Sequence, residues 1–329
     1  MHLGLDIGYS SLKVAFTHAG EKPHHLTMPV GVSRADHGDG NYFGDAGSGV
    51  LVNVDGEDYV AGVQPHMAAD HTRTLDRNYT RTPQYRALYH AALASSGARV
   101  IERVATGLPV NLFFNAELRA ELVEQLQGRH QVTPDRVVEV REAKVYPQPA
   151  GTYISYLSGA SDREGFMSTR AALVIDPGFF SVDSVVMRHN RPYPSAATTS
   201  TEAMSRLLER ADEMITKRHK SATATPGLFK ATLEERLRDG RTDIPCGVRD
   251  IDALPFLERA ADHTGQRALA KITSSVRGLD FDLDIVLVAG GGASLYAPAV
   301  RQAFPETHVI VVENAPMANA DGFLVLAEG

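Results

Sequence analysis

The sequence predicts an α/β protein built from two related domains that face each other across a cleft. Three observations carry that prediction. Near the start, HLGLDIGYSSLKVAF places Asp6 at the end of one β-like run, a turn at Gly8, and a second run from Leu12 to Phe16. In the second half, ALVIDPGFFSVDSVVM, beginning at Ala172, repeats the arrangement with Asp176 and Asp183 around a glycine turn. Further on, the almost wholly apolar residues 284–289 read as a strand at the centre of a sheet and run into Gly290, Gly291 and Gly292, after which a helical pattern begins. At 329 residues the chain has room for two cores, because single cores stop growing near about 250 to 300 residues.

Composition narrows the function classes. With 43% hydrophobic and 22% charged residues, the chain reads as folded and globular, not disordered. Its net charge of -7, from 33 Lys+Arg against 40 Asp+Glu, gives no support to broad binding of nucleic acid or of an acidic membrane. The single cysteine, Cys246, excludes an intrachain disulfide framework and a cysteine-based zinc cluster, and reads as a small buried hydrophobe. Met1 leads directly into a strand, and no run approaches about 18 apolar residues, so the expectation is a soluble, cytoplasmic protein with no membrane segment.

In the first domain, Leu3, Leu5 and Ile7 alternate with polar or small residues, and the apolar positions resume at Leu12, Val14 and Phe16. Between these two strands, the backbone N–H groups and hydroxyls of Gly8, Tyr9, Ser10 and Ser11 suit a phosphate, although a plain surface hairpin needs no more than the same residues. Asp6 favours the first alternative, since a carboxylate in a central strand is costly unless it meets water, a cation or donors. Residues 34–59 carry Asp36, Asp39, Asp45, Asp55, Glu57 and Asp58 at spacings that do not fit a calcium loop, and read as a polar loop or small hairpin closed by VDGED. Residues 83–96 form a helix with Tyr85, Leu88, Tyr89, Ala92 and Leu93 on its apolar face; 100–105 is a strand; 112–126 contains an amphipathic helix stopped by Gly128. Residues 136–140 and 143–146 are β-like, and Pro149 then opens a helix that sets Gln148 beside its N-terminus, as a functional group or only as a cap.

In the second domain, residues 163–170 read as a polar linker leading to the hairpin at 173–187. A helix over 199–217 has a capping box between Thr199 and Glu202 and apolar positions at Met204, Leu207, Leu208, Ala211 and Ile215. The modest basic patch that follows, 217–227, is a solvated helix end, with Lys217 kept as a nucleotide contact. Helices follow at 228–237 and 255–276, and a last strand at 308–312. The triple glycine 290–292 suits a phosphate or nucleotide cradle, because side chains are absent and helix N–H groups point at the ligand; a tight turn without ligand would use the same residues. In the terminal helix, Ala318, Ala320, Gly322 and Ala327 are small enough for backbone to approach backbone, as at the base of a hinge or in a plainly packed helix.

Glycine turns, hydroxyl or amide donors and carboxylates together fit phosphate bound with hydrated magnesium. Asp6 with Asp176 or Asp183 would hold the ion or its waters, and Lys13 would neutralise a phosphate. Gln148 is the candidate for orienting an attacking water, and Gly290, Gly291 and Gly292 for holding the remaining phosphate or the adenosine.

Taken together, these segments resemble the actin-like ATPase superfamily, and in particular its plasmid-segregation branch of the ParM/StbA type. LGLDIGYSSLKV resembles the first phosphate motif, VIDPGFFSVD the second and VAGGGASL the adenosine motif; REAKVYPQPAGTY and NAPMANADGFLVLA resemble the two interdomain connections, and TGLPVNLFF is similar to the segregation branch. The resemblance covers nearly the whole chain. It implies an actin-like two-domain fold, duplicated ribonuclease H-like domains around a nucleotide cleft, with domain I at residues 1–148 completed by a C-terminal helix at 313–329 and domain II at 149–312. It also implies roles. Asp6 would be the magnesium-side aspartate, Gly8, Ser10 and Ser11 the first-loop donors, and Lys13 the phosphate-facing lysine. Gln148, Asp176 and Asp183 would be the catalytic set, with Asp6, Asp176 and Asp183 around Mg2+ or its waters. Gly178 and Ser181 would line the second loop, Gly290, Gly291 and Gly292 the adenosine, and the helix with Glu209, Glu213 and Lys217 the base and ribose.

The activity so implied is hydrolysis of ATP to ADP, with GTP use left open. Copies of the chain would assemble head to tail into filaments for plasmid DNA segregation, reaching DNA through an adaptor protein and not directly. One departure stands out. Where the family usually has D-x-G-G-T/S-T-x-D, this chain has Asp176-Pro177-Gly178-Phe179-Phe180-Ser181-Val182-Asp183. Rings of that size would narrow the phosphate site and slow turnover, which keeps open a non-filamentous, nucleotide-dependent binding or regulatory protein of the same fold.

Overall fold

The computed structural model describes residues 1–18, 22–35, 49–68, 78–160, 163–219, 228–246 and 249–329. They form two compact units, Met1–Arg163 with Met317–Gly329 and Glu164–Pro316. Asp36, Asp39, Asp45 and most of the basic tail, 220–227, lie outside the described residues.

The first unit opens with β1 (His2–Ile7), β2 (Ser11–Thr17) and β3 (His24–Pro29), followed by β4 (Gly31–Arg34), β5 (Val50–Val54) and β6 (Glu57–Val63). Then come α1 (Pro83–Ser95), β7 (Val100–Leu108), α2 (Val110–Phe113), α3 (Ala116–Leu126), β8 (Gly128–Thr133), β9 (Arg136–Pro147) and α4 (Gln148–Ser158). The main sheet has the order β3-β2-β1-β7-β9-β8, and a smaller one the order β4-β6-β5. All five apolar positions expected on α1 are buried, and α1 packs on β5, β6 and β8. The helix expected over 112–126 is divided, because the Asn115 side chain accepts from Leu118 N at 3.1 Å and starts α3 afresh. The two β-like runs expected at 136–140 and 143–146 are one strand. Arg141 and Glu142, which interrupt the apolar pattern, are used in cross-strand ion pairs with Glu102 and Arg103 on β7.

The chain changes unit at α5 (Arg163–Thr169), a short helix where a polar linker is expected; Arg170 N donating to Phe166 O closes its last turn. Next are β10 (Ala171–Pro177), β11 (Val182–Arg188), β12 (Arg191–Ser200), α6 (Met204–Arg218), α7 (Leu228–Arg238), β13 (Asp243–Cys246) and β14 (Arg249–Asp252). The unit ends with α8 (Leu254–Val276), β15 (Ile285–Val288), α9 (Ala293–Ala303) and β16 (His308–Val311). Its main sheet has the order β12-β11-β10-β15-β16, and β13 with β14 forms a separate hairpin in which Cys246 is buried. Strand for strand this matches β3-β2-β1-β7-β9 of the first sheet, antiparallel through the first three and parallel through the rest. The echo in the sequence is therefore a duplicated fold.

The last helix, α10 (Ala318–Glu328), belongs to the first unit and packs on β1, β2, β7 and α4. A Cβ placed on Gly322 would lie 1.7 Å from the carbonyl oxygen of Gly151 on α4, so the two helices touch backbone to backbone and only glycine fits. Asn319 Oδ1 locks the contact by accepting from Thr152 N at 3.1 Å and Thr152 Oγ1 at 2.8 Å. Among the described residues no helix is long and apolar enough to cross a membrane.

Candidate functional site

In the first unit, β1 and β2 pair with Asp6 opposite Lys13 and Ile7 opposite Leu12, leaving residues 8–11 as the turn. Gly8 N donates to Ser11 O at 3.1 Å and closes it. Asp6 is 4% exposed, the costly burial that its place in a central strand predicts. Two donors satisfy it: Lys13 Nζ lies 3.1 Å from Oδ2, and Gln148 Nε2 donates to Oδ1 at 3.1 Å. Gln148 is the first residue of α4 and is delivered there by β9, whose final residue Pro147 pairs with Leu108 of β7. Asp6, Lys13 and Gln148 are thus one hydrogen-bonded group beside the turn that contains Gly8, Ser10 and Ser11.

The second unit repeats the construction. Asp176 stands opposite Asp183 and Pro177 opposite Val182, leaving residues 178–181 as the turn, closed by Gly178 N donating to Ser181 O at 2.8 Å. The difference lies in the paired residue, a lysine in the first hairpin and an aspartate in the second. Like charges directly across a sheet repel, and a divalent cation would offset that repulsion. Asp183 is 2% exposed and accepts from Ser181 Oγ and Thr199 Oγ1, each at 2.6 Å.

The capping box expected at Thr199 is overturned by this contact. Thr199 lies on β12 opposite Asp183, and α6 starts only at Met204. The first amides of α6 are satisfied instead by the second turn, Met204 N donating to Gly178 O at 3.1 Å and Ser205 N to Phe179 O at 2.7 Å. Phe179 and Phe180 pack edge to face with centroids 4.8 Å apart, and the turn keeps the closing bond of its counterpart.

β15 runs parallel beside β10, so the triple glycine emerges next to the second turn. Gly292 N donates to Pro177 O at 3.0 Å. Gly290 has φ 79°, and a Cβ there would fall 2.1 Å from Asp176 Oδ1; glycine is needed both for the backbone and for the carboxylate that lies over it. Asp176, Asp183, Gly178, Ser181, Gly290, Gly291 and Gly292 therefore gather at one end of the second sheet. Lys217 does not join them. It is exposed in the last turn of α6, about 20 Å of helix from the second turn. Nearer the start of α6, Glu209 accepts from Lys230 Nζ at 2.7 Å, and the same Nζ donates to Ser205 Oγ at 3.1 Å.

Two residues to which the sequence reading gives no part in the site touch these groups. Thr199 is one; Tyr79 is the other, its ring stacked on Tyr9 with centroids 4.5 Å apart. Among the described residues no three His, Cys, Asp or Glu side chains gather into a cage for a metal ion. Mg2+ usually takes only one or two carboxylates and completes its shell with water and phosphate oxygens, and each unit by itself has aspartate of that donor class on the strands beside its turn.

Residues 4–151 match the family model described as the N-terminal domain of actin like proteins. No curated protein matches the chain in sequence. Among solved structures, the archaeal actin homolog Ta0583 superposes with a TM-score of 0.76 at 18% identity, covering 99% of each chain, both in native form and in complex with ADP. A 15-stranded ParM filament from Clostridium botulinum gives a TM-score of 0.72 at 16% identity, over 99% of this chain and 98% of that one. The actin-like protein Alp7A gives 0.70 at 16% identity, over 99% and 95%. The chain has the actin-like two-domain fold.

Proposed function

We propose that this chain, which has the actin-like fold, is an ATP hydrolase of the actin-like superfamily that assembles head to tail with copies of itself into filaments. The matched pair of turns carries the reading: each unit sets a buried aspartate at the mouth of a glycine-led turn, on strands of identical register. In the first unit Lys13 neutralises phosphate charge, Ser10, Ser11 and the turn amides donate to phosphate oxygens, and Asp6 serves the magnesium side. Gln148 orients the water whose oxygen bonds to the terminal phosphorus as the bridging P–O bond breaks and ADP leaves. In the second unit Asp176 and Asp183 would hold Mg2+ or its waters, Gly178 and Ser181 line the phosphate loop, and the glycines 290–292 let a nucleotide approach the backbone. The bound ADP of the archaeal homolog and the filament formed by ParM support the same reading.

The finer proposal is plasmid DNA segregation in the cytoplasm through a DNA-binding adaptor, in keeping with a net charge of -7 that disfavours direct contact with DNA. Division of the chain at 148/149 and 312/313 into domains I and II belongs to the same proposal. Purified chain with ATP and magnesium should scatter light, pellet on centrifugation and show filaments by electron microscopy, with release of phosphate. Phe179 and Phe180 favour a second reading, a nucleotide-dependent regulatory protein that does not polymerise. Nucleotide binding with no scattering at any protein concentration would select it, and no nucleotide binding at all would sink both.

A further inference from the structure

Tyr9 is the second residue of the first turn, and its ring lies on that of Tyr79 with centroids 4.5 Å apart and planes at 25°. The Tyr79 hydroxyl also donates to Gly8 O at 3.4 Å, so one side chain meets the turn through both its face and its tip. Tyr79 in turn packs edge-on against Tyr85, centroids 5.5 Å apart. Tyr85 is 2% exposed and its hydroxyl bonds to the side chain of Thr106, whose Oγ1 donates to Leu5 O at 2.7 Å. The ladder leaves the turn at Tyr9 and returns to β1 next to Asp6.

Tyr79 is itself held by backbone. Thr82 N and Thr82 Oγ1 donate to Tyr79 O at 3.1 and 2.7 Å, and the same hydroxyl caps α1 by accepting from Tyr85 N at 3.2 Å. Arg81 extends the connection to α3, its Nε donating to Glu121 Oε1 at 2.8 Å. The order of the first turn is thus mechanically tied to the start of α1.

We infer that Tyr79 is a positioning residue for nucleotide phosphates: it holds residues 8–11 in the form that receives them and couples that form to the start of α1. The inference rests on the proposed nucleotide reading of the first turn. A turn ordered in advance loses less conformational freedom when ligand binds. Coupling is reciprocal, so nucleotide held by the turn must in return steady the beginning of α1.

The test is ADP affinity by calorimetry, together with hydrogen exchange of the peptide covering residues 78–90 with and without ADP. Wild type should bind ADP and gain protection in that peptide. Tyr79→Phe, which keeps the ring, should stay within about twofold of wild type and keep the gain. Tyr79→Leu should bind about three- to tenfold more weakly, the range an aromatic pair provides, and lose the gain. Tyr9→Leu should reproduce Tyr79→Leu from the more exposed end of the ladder, and decides the matter if Tyr79→Leu does not fold. Leucine variants that bind ADP like wild type and still gain protection, whatever their melting temperature, would overturn the inference while leaving the nucleotide reading standing. A wild type that does not bind ADP would overturn both.

Discussion

Both carboxylate oxygens of Asp183 are engaged by hydroxyls, those of Ser181 and Thr199. Asparagine in its place offers an acceptor oxygen on one side and a donor NH2 on the other, so one of the two hydroxyls must switch from donating to accepting, and the negative charge that would attract a cation is gone. Asp183→Asn should keep nucleotide affinity within about threefold while phosphate release falls by at least about a hundredfold, the loss typical of a group acting on a reacting proton or its water. Release at the wild-type rate would remove Asp183 from the catalytic set. The aspartates were legible in the sequence because each lies a fixed step from a glycine turn. Their partners were not. Thr199 reads as a helix cap when judged by Glu202 three positions on, and only the pairing of β11 with β12 reveals it as a donor to Asp183. Tyr79 sits in a polar stretch without periodicity, and its role arises from a contact with Tyr9 that no local pattern announces.

At the scale of elements, the junction of α1 with β5 holds two neighbouring imidazoles, that of His90 buried and that of His130 half-buried. His90 Nδ1 lies 2.6 Å from Asn53 O, and the ring of His130 on β8 is 5.4 Å from that of His90. Burial pushes the His90 imidazole down to about 4, against the bond to Asn53; His130 and Arg86 add to the shift, and Asp55, itself paired with Arg86, opposes it. The unfolded imidazole takes its proton near pH 6.5, the folded one only near pH 4. Stability should therefore be complete above about pH 6.5 and decline as pH falls towards about 4, by on the order of 3 kcal/mol from His90. Melting curves across that window should show a shallower acid decline for His90→Gln than for wild type, and coincident slopes would remove His90 as the titrating group. The central strands β10 and β15 were readable because burial on both faces leaves an apolar signature, and β1 because Leu3, Leu5 and Ile7 alternate with polar or small residues. The edge strands β3 and β12 were not, since an edge tolerates the histidines of one and the prolines 192 and 194 of the other.

At the scale of the molecule, the first unit is assembled from both ends of the chain. The contact of Gly322 with Gly151 joins backbone to backbone, so no side chain can yield to an added methyl group. Gly322→Ala should cost at least the upper end of the about 1–3 kcal/mol usual for overpacking, seen as a lower unfolding midpoint. Gly278→Ala, with nothing within 4 Å of the new Cβ, should leave the midpoint unchanged. Equal effects of the two substitutions would mean that α10 is not closely seated on α4.

This division of the first unit also governs how the protein is made. Residues 1–163 leave the ribosome long before 317–329, and at about 5–20 residues per second the wait lasts roughly ten to thirty seconds. Until then the face of β1 and β7 that Ala320, Phe323, Leu324 and Ala327 will cover stays open. The continuous second unit can complete its fold first, although it is synthesised later. The nascent first unit is thus the stage of biogenesis most exposed to premature association with other chains, and its completion waits on the translation of α10.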